Sequence, residues 1–309
     1  MAANLSQQIF EADRAAYIVK AIKDRVETSP LNCFESFDGE RIFDEPLVGF
    51  ADGDDPIFKE YKTIIGDFHL TPREALQNHL QSIDIRQGPA HVSVVSFILP
   101  VSYKTRLSLR KETLVPSLRW NHTRWQGQDF IYDLSRYVTS LLESLGYRAV
   151  APELADFYKI NRLPAGYAAN WSQRHAAYAA GLGTFSLNDG FITPKGMAMR
   201  CGSVVTDAII PPSPRLYSDH LANCLFYYNR SCNRCAQRCP AGAIDEKGHD
   251  KNKCREFLFN RQKEIVRELH REEGYIGGYL GCGLCQTKVP CEARIPPRKK
   301  PGDSQEDMR

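Results

Sequence analysis

Residues 224–291 read Cys224-LFYYNRS-Cys232-NR-Cys235-AQR-Cys239-Pro240, then a lone Cys254 in NKCREF, then Cys282-GL-Cys285-QTKVP-Cys291. Eight of the ten cysteines fall here, and two cubane iron–sulfur clusters need eight thiolates. A short loop wraps only three corners of one cube, so the cysteine before a proline in such a run reaches across to a second cluster. Cys239-Pro240 has that form. One expected cluster takes Cys224, Cys232, Cys235 and Cys291; the other takes Cys239, Cys254, Cys282 and Cys285. Two positions depart from the standard spacing. Cys224 lies far upstream, leaving Asn229 where a first ligand normally sits, and five residues rather than three separate Cys285 from Cys291.

Two other uses of the cysteines compete. A disulfide framework suits a small secreted domain, whereas this chain has no secretory signal and is long enough to build a core without staples. Paired zinc sites use the same Cys-x-x-Cys pairs, although zinc sites rarely carry a Cys-Pro ending followed by AGAI.

The 309 residues suggest a large domain and a smaller one. Forty Lys and Arg against 37 Asp and Glu leave too little excess base to imply nucleic acid. No apolar stretch approaches the roughly 20 residues of a membrane span, and the cytoplasm is the expected compartment.

Outward from the cysteines, the chain alternates helical and strand patterns. Residues 7–26 carry helical periodicity, and residues 27–72 read as loops and short helices, with a solvated turn at Asp52, Asp54 and Asp55. Residues 91–103 read as a buried strand, residues 131–145 as a helix capped by Gly146, and residues 148–151 as a short strand. Strand, helix, strand argues for an α/β layer, since a parallel pair needs a crossover. Residues 117–130, SLRWNHTRWQGQDF, concentrate Trp and Arg between strand and helix. They read equally as a holder of a flat or anionic ligand and as a surface loop pinned by tryptophans.

A helix bearing Arg174, His175 and Tyr178 then runs into Gly181-Leu182-Gly183, a hairpin about Asn188-Asp189-Gly190 and a strand from Cys201 to Thr206. Gly-x-Gly after a helix is no dinucleotide fingerprint, which needs it after a strand. Cys201 reads as a small packing residue, and Cys33 also stands outside the cluster count.

Taken together, AAYAAGLGTFSLNDGFITPKGMAMRCGSVVTD and the cysteine region resemble the epoxyqueuosine reductase and reductive dehalogenase superfamily. The resemblance implies an α/β, nitroreductase-like corrinoid-type domain over residues 1–215, a bacterial ferredoxin-like two-cluster domain over residues 216–296 and a basic tail over residues 297–309. It also implies two 4Fe–4S clusters and a cobalamin, a low-potential ferredoxin or flavodoxin as donor, and a small-molecule or modified-nucleoside substrate, with tRNA among the options. Cofactor-binding positions would be Gly181, Gly183, Thr184, Asn188, Gly190 and Arg200. Candidate proton donors and substrate ligands are Glu153, Tyr158, Arg174 and His175, with Asp156, Tyr167 and Tyr178 nearby. Epoxyqueuosine reductases place an aspartate just after the strand at residues 148–151, where this chain has alanine before Glu153. No Asp-x-His-x-x-Gly motif offers cobalt a histidine. An electron carrier without its own catalytic cofactor, or a corrinoid-binding activator, stand as alternatives.

Overall fold

The computed structural model describes residues 2–298, so the basic run at Lys299 and Lys300 lies outside the described residues. In chain order the helices are α1 (Ala2–Ala12), α2 (Arg14–Thr28), α3 (Ile57–Ile64), α4 (Pro72–Ser82), α5 (Tyr103–Arg110), α6 (Leu118–Ser144), α7 (Gln173–Ala179), α8 (Leu225–Asn229), α9 (Arg234–Gln237), α10 (Lys251–Glu256) and α11 (Gln262–Glu268). The strands are β1 (Leu47–Asp52), β2 (Ser93–Pro100), β3 (Ala149–Val150), β4 (Ile160–Leu163), β5 (Gly166–Ala169), β6 (Thr184–Phe185), β7 (Phe191–Ile192), β8 (Met199–Thr206), β9 (Ile244–Asp245) and β10 (Gly248–His249). The fold is mixed helix and sheet.

Four strands form the central sheet in the order β1-β2-β8-β3. Strand β2, SVVSFILP, is buried along its whole length, because helices cover both faces. Val95, Phe97 and Leu99 point into one core with residues of α2 and α6, while Val94 and Ile98 point into the other with residues of α4 and α7. Alternate side chains of a strand face opposite sides, so a continuous apolar run is what a doubly covered strand requires.

Each pairing in this sheet is antiparallel, which corrects the expectation of a paired parallel layer. β2 and β3 do run in the same direction across the α6 crossover, but β8 lies between them and pairs with both. Three further sequence expectations change. The helix over residues 7–26 is broken at Asp13, whose carboxylate accepts from Ala16 N at 2.9 Å and caps α2. The region read as loops contains strand β1, paired with β2 from Leu47 opposite Ile98 to Asp52 opposite Ser93. Residues 118–130 are not a surface loop but the first half of the 27-residue α6, capped by Ser117.

That first half of α6 carries the C-terminal region. Asn121 Nδ2 donates to Ile276 O (3.1 Å) and Leu280 O (3.0 Å), and His122 Nε2 donates to Gly274 O at 2.8 Å. Trp125 Nε1 donates to Tyr279 O at 3.0 Å. Gly277, at φ +81°, lies so close to Trp125 that an added Cβ would meet its indole at 1.9 Å. A second clamp holds residues 291–292. Met197 N donates to Cys291 O at 2.8 Å, and Glu292, 3 % exposed, takes Arg110 in a two-toothed pair at 2.8–3.0 Å.

Candidate active site

None of the ten cysteines is in a disulfide, and the C-terminal eight gather into two sets. Around Cys291 the thiols of Cys224, Cys235 and Cys232 are close enough to oppose its ionisation, and Cys224 and Cys232 stand likewise around Cys235. Cys282 has Cys254 and Cys239 about it, and Cys285 has Cys282 and Cys254, with Cys235 of the first set also near. Burial is the largest influence on each, pushing the Cys235 and Cys282 thiols up to about 12. Cys224, Cys235, Cys239, Cys285 and Cys291 pack with an apolar cluster that includes Leu187, Met197, Phe226 and Val289, whereas Cys254 comes from α10 and Cys282 packs against the sheet's core.

Among the described residues, no three His, Cys, Asp or Glu side chains are placed to hold one metal ion. A tetrahedral zinc draws its ligands to about 2.3 Å from one point, whereas an iron–sulfur cube spreads four thiolates over four irons. Two details around the sulfurs suit a cube. Ala243 N donates to Cys239 Sγ at 3.3 Å. Asn223, next to Cys224 in sequence and 2 % exposed, has no partner for either polar atom of its side chain.

A cavity of about 1470 Å³ opens between the sheet domain and the C-terminal region. It exceeds the ~1000 Å³ upper end of ordinary ligand pockets. Its wall includes Glu153, Tyr158, Arg174, His175, Gly190 and Arg200 from the sequence-based candidates, together with Tyr167 and Tyr178. Cys282 and its two glycine neighbours Gly281 and Gly283 form part of the same wall. Gly181, Gly183, Thr184 and Asn188 do not line it. Gly181, at φ +73°, lets the backbone pass Pro214 O, Gly183 packs on Ile192 O, and Thr184 Oγ1 accepts from Asn223 N at 3.0 Å. Asn188 closes the five-residue loop of the β6–β7 hairpin, its Oδ1 accepting from Gly190 N at 3.0 Å and its Nδ2 donating to Cys285 O at 3.1 Å. Asp156 is exposed and absent from the wall.

Glu153 sits at the end of a directional chain of hydrogen bonds. Indole Nε1–H of Trp171 only donates, and Ser203 Oγ accepts it at 2.9 Å. The Ser203 hydroxyl must then donate to Gln173 Oε1 (2.6 Å), which turns Gln173 Nε2 toward Glu153 Oε2 at 2.8 Å. Oε2 is thereby fixed as an acceptor, and any proton on this carboxyl resides on Oε1. Burial raises the Glu153 pKa, only partly opposed by Gln173 and by the charges of Arg200 and Arg124. Burial also holds His175 neutral, its pKa lowered to about 3; its Nδ1 is hydrogen-bonded to Ser172 Oγ at 2.7 Å. Arg174, beside it on α7, donates to Asp189 O.

Arg124, from the Trp- and Arg-rich segment read as a candidate holder of a flat or anionic ligand, lines the cavity. It stacks on Tyr279 with its guanidinium 5.0 Å from the ring and donates to that phenol oxygen at 2.5 Å. Arg200, also on the wall, donates to Gln128 Oε1 at 2.8 Å. Placing α6 as a helix over residues 118–130 would have put Arg124 and Gln128 on one face, one turn apart.

No family model matches the chain. Over 122 residues it is 32% identical to an epoxyqueuosine reductase of Bacillus anthracis, a match that covers 38% of this chain and 29% of that protein. The chain is similar in sequence to epoxyqueuosine reductases. The match thus spans under a third of that relative's length, and it supports the superfamily resemblance drawn from the glycine-rich and cysteine segments. Among solved structures, an epoxyqueuosine reductase bound to an epoxyqueuosine-modified tRNA stem loop aligns at TM-score 0.44 and 18% identity, covering 89% of this chain and 66% of that one. A catabolic reductive dehalogenase aligns at TM-score 0.49 and 14% identity, over 91% of this chain and 37% of the other. Among the described residues, no helix is long and apolar enough to cross a membrane.

Proposed function

We propose that the chain is a corrinoid-dependent iron–sulfur reductase of the cytoplasm. Cys224, Cys232, Cys235 and Cys291 hold one 4Fe–4S cluster, and Cys239, Cys254, Cys282 and Cys285 hold the second. The reading is carried by Cys282, which belongs to the second set and also to the cavity wall. Electrons delivered to that sulfur reach the cavity without crossing further protein.

Arg124, Arg200 and the glycine face at Gly190 are the residues we assign to cobalamin, whose cobalt supplies nucleophilic two-electron chemistry when bound. Tyr158, Tyr178 and Arg174 bound the remaining space and orient the substrate, a small molecule or modified nucleoside. Glu153 donates the proton from Oε1, its pKa raised by burial and its other oxygen held in register by Gln173. A low-potential ferredoxin or flavodoxin provides the electrons.

Anaerobic reconstitution with iron, sulfide and cobalamin tests this reading. It requires about eight irons per chain, one cobalt, and a cobalt paramagnetic signal perturbed by binding. Four or fewer irons, or zinc in their place, would overturn it; eight irons with no retained cobalamin would leave an electron carrier.

A further inference from the structure

No cysteine of the first set lines the cavity, although Met197, against Cys291, and Tyr227 do, and the chain segment over that set is exposed. We propose that the face formed by Tyr227, Tyr228, Arg230, Arg234 and Arg298 is the docking surface for a small acidic electron-carrier protein, which reduces the cluster held by Cys224, Cys232, Cys235 and Cys291. The proposal rests on the two-cluster reading above.

Three observations carry it. Cys282 of the second set borders the cavity, so electrons leave there and must be taken in at the first set. The segment over that set is exposed: Tyr227 and Tyr228 are 37% and 49% accessible, and Asn229, Arg230, Ser231, Asn233 and Arg234 are exposed beside Cys232. Its charge has one sign, because no Asp or Glu occurs from Leu221 to Ile244.

The cations are held outward by the packing. Arg230 lies 4.3 Å over the Phe226 ring, and Arg298 lies 4.5 Å over Tyr228 while donating to Ala222 O at 2.7 Å. Arg238, by contrast, turns inward to Glu112 O and Leu284 O and belongs to the scaffold. The packed Arg230 and Arg298 guanidinium groups around the exposed Tyr228 ring, with the exposed Arg234 beside them, make a compact target. Such a face gives speed and orientation to a transient redox encounter, whereas a nucleic-acid surface calls for a longer basic stripe.

Reconstituted protein mixed rapidly with reduced flavodoxin tests the face. The rate of cluster bleaching should fall as salt rises, and R234E should slow it roughly tenfold or more at low salt. R234K should keep the rate, and reduction by dithionite should be the same in all three proteins. Calorimetric titration with oxidised flavodoxin should show the matching loss of affinity in R234E. Equal rates in R234E and the parent, or no reaction of the parent with flavodoxin, overturn the proposal. So does an RNA stem loop that binds this face and loses affinity in R234E while flavodoxin transfer is unchanged. Failure of dithionite to bleach any cluster would instead sink the two-cluster reading.

Discussion

Replacing Glu292 by alanine should cost about 3 kcal/mol and release the Cys291 segment. The carboxylate is 3 % exposed and meets Arg110 at 2.8–3.0 Å, Arg106 at 3.4 Å and Lys288 N at 2.7 Å. Removing one partner of a buried pair costs roughly 3–5 kcal/mol because the other charge stays desolvated. Arg110 is partly exposed and can rehydrate, whereas Arg106 cannot do so as easily, which places the cost near the lower end. For a chain of this size, ~2 °C is lost per kcal/mol, so the midpoint of thermal unfolding should fall by about 6 °C. The double change with Arg110→Ala should cost less than the sum of the two single ones. Scanning calorimetry of the anaerobic protein provides the measurement. A midpoint within about 1 °C of the parent would show that this pair does not hold the two regions together.

Three further outcomes are expected. His69, 2 % exposed with both ring nitrogens unpartnered, has its pKa lowered by burial from 6.5 to about 4. It binds no proton in the fold while the unfolded chain takes one up, so its contribution is intact above pH 6.5 and about 2 kcal/mol is lost by pH 5. His175 acts in the same direction; urea titrations from pH 7 to 5 should show a smaller acid loss for His69→Phe, and an unchanged slope would refute the assignment. Gly277→Ala must displace the Trp125 indole and adopt φ +81°, costing about 2–4 kcal/mol; faster amide exchange over residues 270–283 reports it, and parent-like exchange would contradict the close approach. The Glu153 carboxyl should give a protonated-acid infrared band that persists above the usual carboxylate range and vanishes in Glu153→Gln. A band that disappears at the ordinary carboxylate pKa would remove Glu153 as the proton donor.

How much of this was legible beforehand depended on whether a residue's partner was close in sequence. The β2 run and the Gly146 cap were readable because burial on two faces and a left-handed turn each leave a local mark: unbroken apolar residues in one case, glycine at φ +85° in the other. Strand β1 was not, because its Gly49 and Asp52 resemble turn residues. Glycine is required at position 49 because Ala180 O would lie 2.6 Å from a Cβ there. The slot between β2 and β3 was equally hidden. Only the later β8 segment, antiparallel to both, shows that the crossover joins second neighbours.

The same rule explains the long helix. Trp120, Asn121, His122, Thr123 and Gly127 are weak helix formers, so propensity pointed to a loop. Their side chains are spent on distant groups: Asn121 on residues 276 and 280, His122 on residue 274, and Gly127 on admitting the Phe43 ring. Tertiary contacts thus stabilise a helix that local preference disfavours. Because the cysteine-bearing region fastens to that helix, Arg124 reaches the cavity beside Tyr279, three residues from Cys282. A glycine pair such as 181 and 183 fits close approach to a ligand, yet here the space their missing side chains leave is filled by Pro214 and Ile192. Close approach of backbone to backbone and of backbone to ligand leave the same sequence mark; only the coordinates tell them apart.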